Sequence, residues 1–266
     1  MSEGGFTVMS VMRSAAIVKA SSGDAGVPRA RPAALRLAGP ELAGRELAGL
    51  EPAGLEPAGL ELAGPELAGP EPAELELAGL EFAVIDLETT GWSPDAAAIT
   101  EIAAVRVRGG RRRGEFASLV NPGVPVPPGI EDLTGITDWM LASAPSVAAV
   151  LPGLLTFAEG CVLVAHNAPF DVGFLVAACG ACGLAWPGFT VLDTVMLARH
   201  VMDPDEVPDC KLGTLAGFFR AGTSPCHRAL ADARATADVL GWLIRRLAHR
   251  GVRTLDQLKG WPSVVA

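Results

Sequence analysis

Tyrosine is absent from the 266-residue chain, lysine is scarce, and acidic residues outnumber basic ones, 30 Asp and Glu against 21 Lys and Arg. The net charge of −9 excludes a protein that holds nucleic acid by bulk positive charge. Any polyanionic partner must meet locally concentrated arginines or imported metal ions. No apolar run is long enough to span a bilayer. Val8–Met12 and Ala15–Val18 are too short and too interrupted for a signal segment. No membrane association is expected. The five cysteines are odd in number and scattered, which points to a reduced, cytoplasmic chain rather than a disulfide framework.

What is present is apolar bulk: half of the residues are hydrophobic, enough for one or two domains with a sizeable core. Cys179 and Cys182 form a C-x-x-C. A zinc site needs two more closely spaced ligands, and Cys210 and Cys226 do not supply that spacing. Two small apolar residues on a helix is the preferred reading.

The chain changes texture along its length. Residues 1–39 show no sustained period and read as a disordered N-terminal segment. From Pro40 to Gly79 a five-residue unit recurs, as in PELAG, RELAG and LEPAG. On a helix, each five-residue step turns the Leu positions by ~140°, so they spiral without forming a stripe. On a strand, an odd period flips the face at every unit. Gly and Pro disfavour a helix further. Residues 40–80 therefore read as a low-complexity linker.

From Glu81 the pattern becomes that of a folded domain, 81–250, followed by a tail, 251–266. Phe82–Leu87 is a buried strand, and Ile99–Arg108 and Glu115–Val120 form a hairpin around Gly109–Gly114. The arginines 111–113 then fall at the hairpin tip, as a solvated turn or a phosphate contact. Helices and strands alternate afterwards: helix Val147–Glu159, strand Cys161–Ala165, helix Phe170–Cys182, strand Phe189–Leu192, a helix capped by Asp193, helix Leu212–Phe219 and helix Ala229–Arg250. This order predicts an α/β fold, a five-stranded mixed sheet flanked by helices.

Three places put acids where an apolar face begins. Asp86 and Glu88, two apart on a strand, point to one face. Two carboxylates ~7 Å apart behind an apolar approach are costly unless a cation neutralises them. For this pair alone, a turn cap and a solvated strand end is an equal alternative. In HNAPFD (His166–Asp171), Asp171 shares a helix face with Phe174, Leu175 and Ala178. In HRALADARAT (His227–Thr236), Asp232 heads a stripe through Thr236, Val239, Leu243 and Leu247. His227 falls on the loop before that helix, from where it can lean over the site. Four acids from three segments can hold two Mg²⁺ or Mn²⁺ ions, which suit phosphodiester hydrolysis, with His227 taking a proton from water.

DLETTG, HNAPFD and HRALADA, in that order, resemble the three motifs of the DEDDh (DnaQ-like) exonucleases, typified by the proofreading epsilon subunit of bacterial DNA polymerase III. The resemblance covers residues 82–248. It implies an RNase H-like sheet, metal ligands at Asp86, Glu88, Asp171 and Asp232, and His227 as general base. It also implies that Thr89 and Thr90 touch the terminal sugar and base, and that His166 and Asn167 line the site. The implied activity is 3′→5′ hydrolysis at the 3′ end of nucleic acid, foremost single-stranded DNA, in proofreading or repair beside a DNA polymerase subunit. An exoribonuclease on short RNA and a non-catalytic nucleic-acid-binding module on the same fold are the alternatives.

Overall fold

The structure, a computed structural model, describes residues 76–258, 261 and 264–265. The expected disordered segment 1–39 and most of the linker lie outside the described residues.

Three strands open the fold: β1 (Glu81–Thr89), β2 (Ile99–Arg108) and β3 (Arg111–Leu119). The helices α1 (Pro128–Thr134), α2 (Asp138–Leu141) and α3 (Val147–Ala158) follow. Strand β4 (Val162–Ala165) leads into α4 (Ala168–Ala181), and β5 (Val191–Asp193) into α5 (Thr194–Val201). Last come α6 (Leu212–Phe219), α7 (Ala229–His249) and the two-residue β6 (Val264–Val265). The sheet order is β3-β2-β1-β4-β5-β6. β1, β4 and β5 are parallel, while β2, β3 and β6 run antiparallel to their neighbours. The five expected strands are all there, and β6 adds a short edge.

β1 reads as an unbroken apolar run because both of its faces are covered. Phe82 and Val84 enter one core, with Val105, Leu197, Leu240 and Leu243. Ala83, Ile85 and Leu87 enter the other, with Leu151, Leu154, Phe174 and Leu175. Helices α5 to α7 thus cover one face of the sheet and α3 and α4 the other. Ala229, Ala233 and Ala237 are buried one turn apart on α7 and keep that side of the helix thin where it meets the sheet. Cys179 and Cys182 pack in the second core, as the bland reading of C-x-x-C has it.

Three expectations shift. The hairpin turn is shorter than the sequence suggests: Gly109 and Gly110 make it alone, with φ of 58° and 70°, values that both positions of a tight two-residue turn require. Arg111–Arg113 therefore belong to β3 rather than to its tip. At the N-terminal boundary, Leu77 and Leu80 are buried in the first core, so the fold starts inside the segment that composition assigns to the linker. At the other end, Leu255 and Leu258 are buried in the same core, so the tail is part of the fold. The two ends meet: Leu77 donates its amide to the Arg253 carbonyl at 2.6 Å.

Candidate active site

Because β1 and β4 are parallel, their C-terminal ends lie on one edge of the sheet, where α4 begins. This is the edge at which ligands bind in open α/β sheets. Asp86 and Glu88 leave β1 on the α7 side, on the same face as Val84. Asp171 comes from the first turn of α4 and Asp232 from the first turn of α7. All four line one cavity of about 170 Å³, together with His166, His227 and Thr89. The donor atoms of Glu88, His227 and Asp232 lie within 4.8 Å of one another.

Crowding shapes the electrostatics. Burial, reinforced by the charges of Asp171, Asp232, Glu88 and Glu101, holds the Asp86 carboxyl well above the usual carboxylate range. Burial, with Asp232 and Glu101 nearby, pushes Glu88 up to about 8, although Arg228 pulls the other way. Asp171 is also raised well above its ordinary value by burial, against the opposing pull of the Asp171 and Leu87 backbone. Asp232 is raised by burial, against a backbone hydrogen bond from Cys226. Four acids that are each reluctant to ionise could together hold hard cations, since they offer oxygen donors, a low local dielectric and an unmet need for positive charge.

The loop before α7 is held by its own helix. The Cys226 amide donates to Asp232 Oδ1 at 2.8 Å, so the carboxylate reaches back and fixes the residue next to His227. His227 has φ of 56°, the left-handed region that few non-glycine residues adopt. Its side chain is exposed, at the rim of the cavity, as the loop placement expected from the sequence requires. Below it, Glu101 on β2 is buried. Arg228 donates to both of its oxygens, from Nε at 3.0 Å and Nη2 at 2.9 Å, and the Ala229 amide donates at 2.9 Å. Arg228 thus clamps β2 to the start of α7.

The second motif divides. His166 lines the cavity, and its Nδ1 lies 2.9 Å from Thr194 Oγ1. Burial lowers its pKa to about 4, so the ring is neutral near pH ~7. Asn167 is exposed, with φ of 73°, and is not part of the cavity lining. Its backbone amide donates to Asp193 Oδ1 at 3.1 Å, and the same oxygen caps α5 through the Val195 amide at 2.8 Å. Asp193 is the helix cap that the sequence suggests, and it also braces the turn behind His166. Of the threonine pair, Thr89 lines the cavity and donates its hydroxyl to the Gly91 carbonyl. Thr90 does not: its Oγ1 accepts from the Ala98 amide at 2.9 Å and stitches the end of β1 to the start of β2.

Sequence reasoning missed the apolar wall. Trp92, Ile130, Leu133 and Phe170 line the same cavity, and Trp92 is 67% exposed there. The signal was available in part, since a tryptophan directly after the glycine that ends the first motif has no core to enter.

A family model described as "Exonuclease" (RNase T type) matches residues 83–240. The chain belongs to this exonuclease family. A Mycobacterium tuberculosis (strain CDC 1551 / Oshkosh) protein named for exonuclease and endonuclease functions is 51% identical over 190 residues, 68% of this chain and 29% of that protein. A PolC-type DNA polymerase III of Caldanaerobacter subterraneus subsp. tengcongensis is 40% identical over 175 residues, 66% of this chain and 12% of that protein. The chain therefore spans less than a third of the length of these relatives. Among solved structures, Exonuclease X in complex with 5′ overhanging duplex DNA aligns with a TM-score of 0.50 and 28% identity, covering 64% of this chain and 93% of that one. Exonucleases of this family use divalent metal ions, and the acid-lined cavity fits that chemistry. Among the described residues, no helix is long and apolar enough to cross a membrane.

Proposed function

We propose that this exonuclease removes nucleotides one at a time from the 3′ end of single-stranded DNA, releasing nucleoside 5′-monophosphates. Two Mg²⁺ or Mn²⁺ ions would be held by Asp86, Glu88, Asp171 and Asp232. The observation that carries this reading is the meeting of four acids in one cavity with a histidine at its rim. Among the described residues, no cationic side chain neutralises the set fully, since the hydrogen bonds of Arg228 go to Glu101. When bound, the ions supply Lewis acidity at the scissile phosphate and ease the ionisation of water.

The side chains divide the remaining work. His227 takes the proton of the attacking water, and its exposure lets that proton leave to solvent. Asp232, besides its carboxylate charge, keeps the His227 loop in place through the Cys226 amide. Neutral His166 lines the cavity without adding a fixed positive charge to compete for the acids. Trp92, Ile130, Leu133 and Phe170 offer an apolar wall against which the terminal base can lie. Thr89 stands where the terminal sugar would pass.

The PolC-type relative supports a place beside a DNA polymerase, in proofreading or repair. The five free cysteines fit a reducing, cytoplasmic setting. The direct test is a single strand labelled at either end and incubated with the protein and Mn²⁺. Immediate release of the 3′ label, with a descending ladder from the 5′ label, is expected. Release of the 5′ label first, or no release at all, contradicts the proposal. An RNA strand in the same assay decides between the two sugar chemistries.

A further inference from the structure

A second cleft, of about 380 Å³, opens between the Gly109–Gly110 turn, the loop after α6 and the middle of α7. Arg112, Arg220, Trp242 and Arg245 wall it, with Asp238 and the backbones of Gly110, Gly222 and Gly241. In a chain of net charge −9, three guanidinium groups around one cleft are a local reversal of sign.

The cleft is built rather than incidental. Trp242 stacks on Phe219 with ring centroids 5.9 Å apart and planes 5° from parallel. The Arg245 guanidinium lies 4.7 Å over the Trp242 ring. This column fixes an arginine that would otherwise sweep through solvent, so less entropy is lost when it binds an anion. Arg220 closes α6 with φ of 53°, which turns the chain toward the cleft. Asp238 is already engaged: Arg112 donates to it at 3.0 Å, and the Gly222 amide at 2.9 Å. Its charge therefore offsets Arg112 and leaves the charges of Arg220 and Arg245 in excess.

The cleft shares α7 with the cleavage site. Asp232 and Gly241 are nine residues apart on one helix, ~14 Å at the usual rise. A stacked strand carries one phosphate per ~3.4 Å, so about four nucleotides span that distance.

We infer that this cleft is a second nucleic-acid contact, which binds backbone phosphates of the substrate several nucleotides upstream of its 3′ end. The inference rests on the exonuclease reading of the first site, but the ligand chemistry follows from the cleft itself. Arginine forks grip phosphate oxygens in pairs, whatever base those phosphates carry.

The experiment is equilibrium binding of labelled single strands to the full chain in chelator, which keeps cleavage out of the readout. The probes are a trinucleotide and a strand of about twenty nucleotides, the latter able to reach both sites. Two variants are compared with the parent and with Arg199→Ala, an exposed arginine elsewhere. One is Arg220→Ala/Arg245→Ala. The other is Gly241→Glu, where a Cβ meets nothing within 4 Å and the new carboxylate enters the cleft on a better helix former. Both should weaken the long strand about tenfold and leave the trinucleotide unchanged. The double variant should also flatten the salt dependence by roughly 1.4 in log–log slope, two phosphate contacts at ~0.7 each. Equal losses on both probes, an effect no larger than that of Arg199→Ala, or no binding of the long strand by the parent overturns the inference. If the parent releases no nucleotides with Mn²⁺ yet the length-dependent loss is seen, the catalytic proposal fails and this one stands.

Discussion

Glu88 stands directly opposite Glu101 in the antiparallel β1–β2 ladder, two acids face to face at the start of α7. Like charges so placed repel. The fold tolerates the pair because each acid has a different partner to satisfy. Glu101 is closed off by Arg228 and the Ala229 amide, whereas Glu88 is left to the cavity.

The Arg228–Glu101 clamp should be measurable as a coupling. Arg228→Ala leaves a buried carboxylate with only one amide donor. Because the arginine is 40% exposed, its loss should cost about 2 kcal/mol, less than a fully buried pair would. Glu101→Gln in the same chain should recover much of that loss, since a neutral amide needs no counter-charge. Chemical denaturation of the four members of the cycle checks this. Strict additivity would mean that the two side chains do not support each other.

The raised carboxyls fix the sign of the pH dependence. Glu88 moves from 4.5 to about 8 on folding. Between those values the folded chain holds a proton that the unfolded chain has lost, so stability falls as pH rises through the window. Asp86, Asp171 and Asp232 shift the same way. In chelator, the Tm should therefore be lower at pH ~8 than at pH ~5. Mn²⁺ should raise it more at the higher pH, where the acids are free to bind it. A metal effect that is equal at both values would remove the acids from its cause.

Trp92 contributes little to the fold, and its proposed role is to hold the substrate. At 67% exposure its replacement by alanine should change stability by less than about 0.5 kcal/mol. The KM for a single strand should rise roughly tenfold, the loss of one base stack, with kcat less affected. Steady-state kinetics on the folded variant separate this from a loss of kcat alone, which would assign Trp92 another role.

The boundary at Leu77 makes a deletion series informative. Composition suggests that the chain can lose residues 1–79 without consequence. Leu77 is 1% exposed in the core and its amide is bonded to Arg253, so a cut after residue 75 and a cut after residue 80 should differ. The first should retain the parent's Tm and activity. The second loses Leu77 and Leu80 from the core, and even Leu77→Ala alone should cost about 2–4 kcal/mol. Identical melting of the two truncations would show that the 3₁₀ turn at Leu77–Gly79 adds nothing.

Much of the site was legible because an acid at the head of an apolar helix face conflicts with its surroundings, and such conflicts mark chemistry. Asp171 and Asp232 stood out in this way, and His227 followed from its place on the loop just before the helix that Asp232 heads. Glu101 did not stand out. In ITEIAAVRV a lone acid between threonine and isoleucine looks like an outward strand position, and only the pairing with Glu88 and the approach of α7 reveal it. Thr90 and Asn167 belong to the motifs, yet the Thr90 hydroxyl accepts from the Ala98 amide and the Asn167 backbone amide donates to Asp193, a matter of tertiary geometry that spacing does not encode. The position of Arg111–Arg113 in a strand depended on two glycines sufficing for the turn. Leu77 was hidden because it is identical to every other leucine of the repeat.

Joint binding of divalent ions by the carboxylates of Asp86, Glu88, Asp171 and Asp232 underlies the proposed hydrolysis. Anomalous diffraction from crystals grown with Mn²⁺ and a nucleoside 5′-monophosphate tests it directly. Two anomalous peaks are expected within the cavity, each within ~2.0–2.3 Å of oxygens from this set, and none there when Asp86 is replaced by asparagine. A cavity without manganese at saturating concentration, or peaks bound to other side chains, would contradict it.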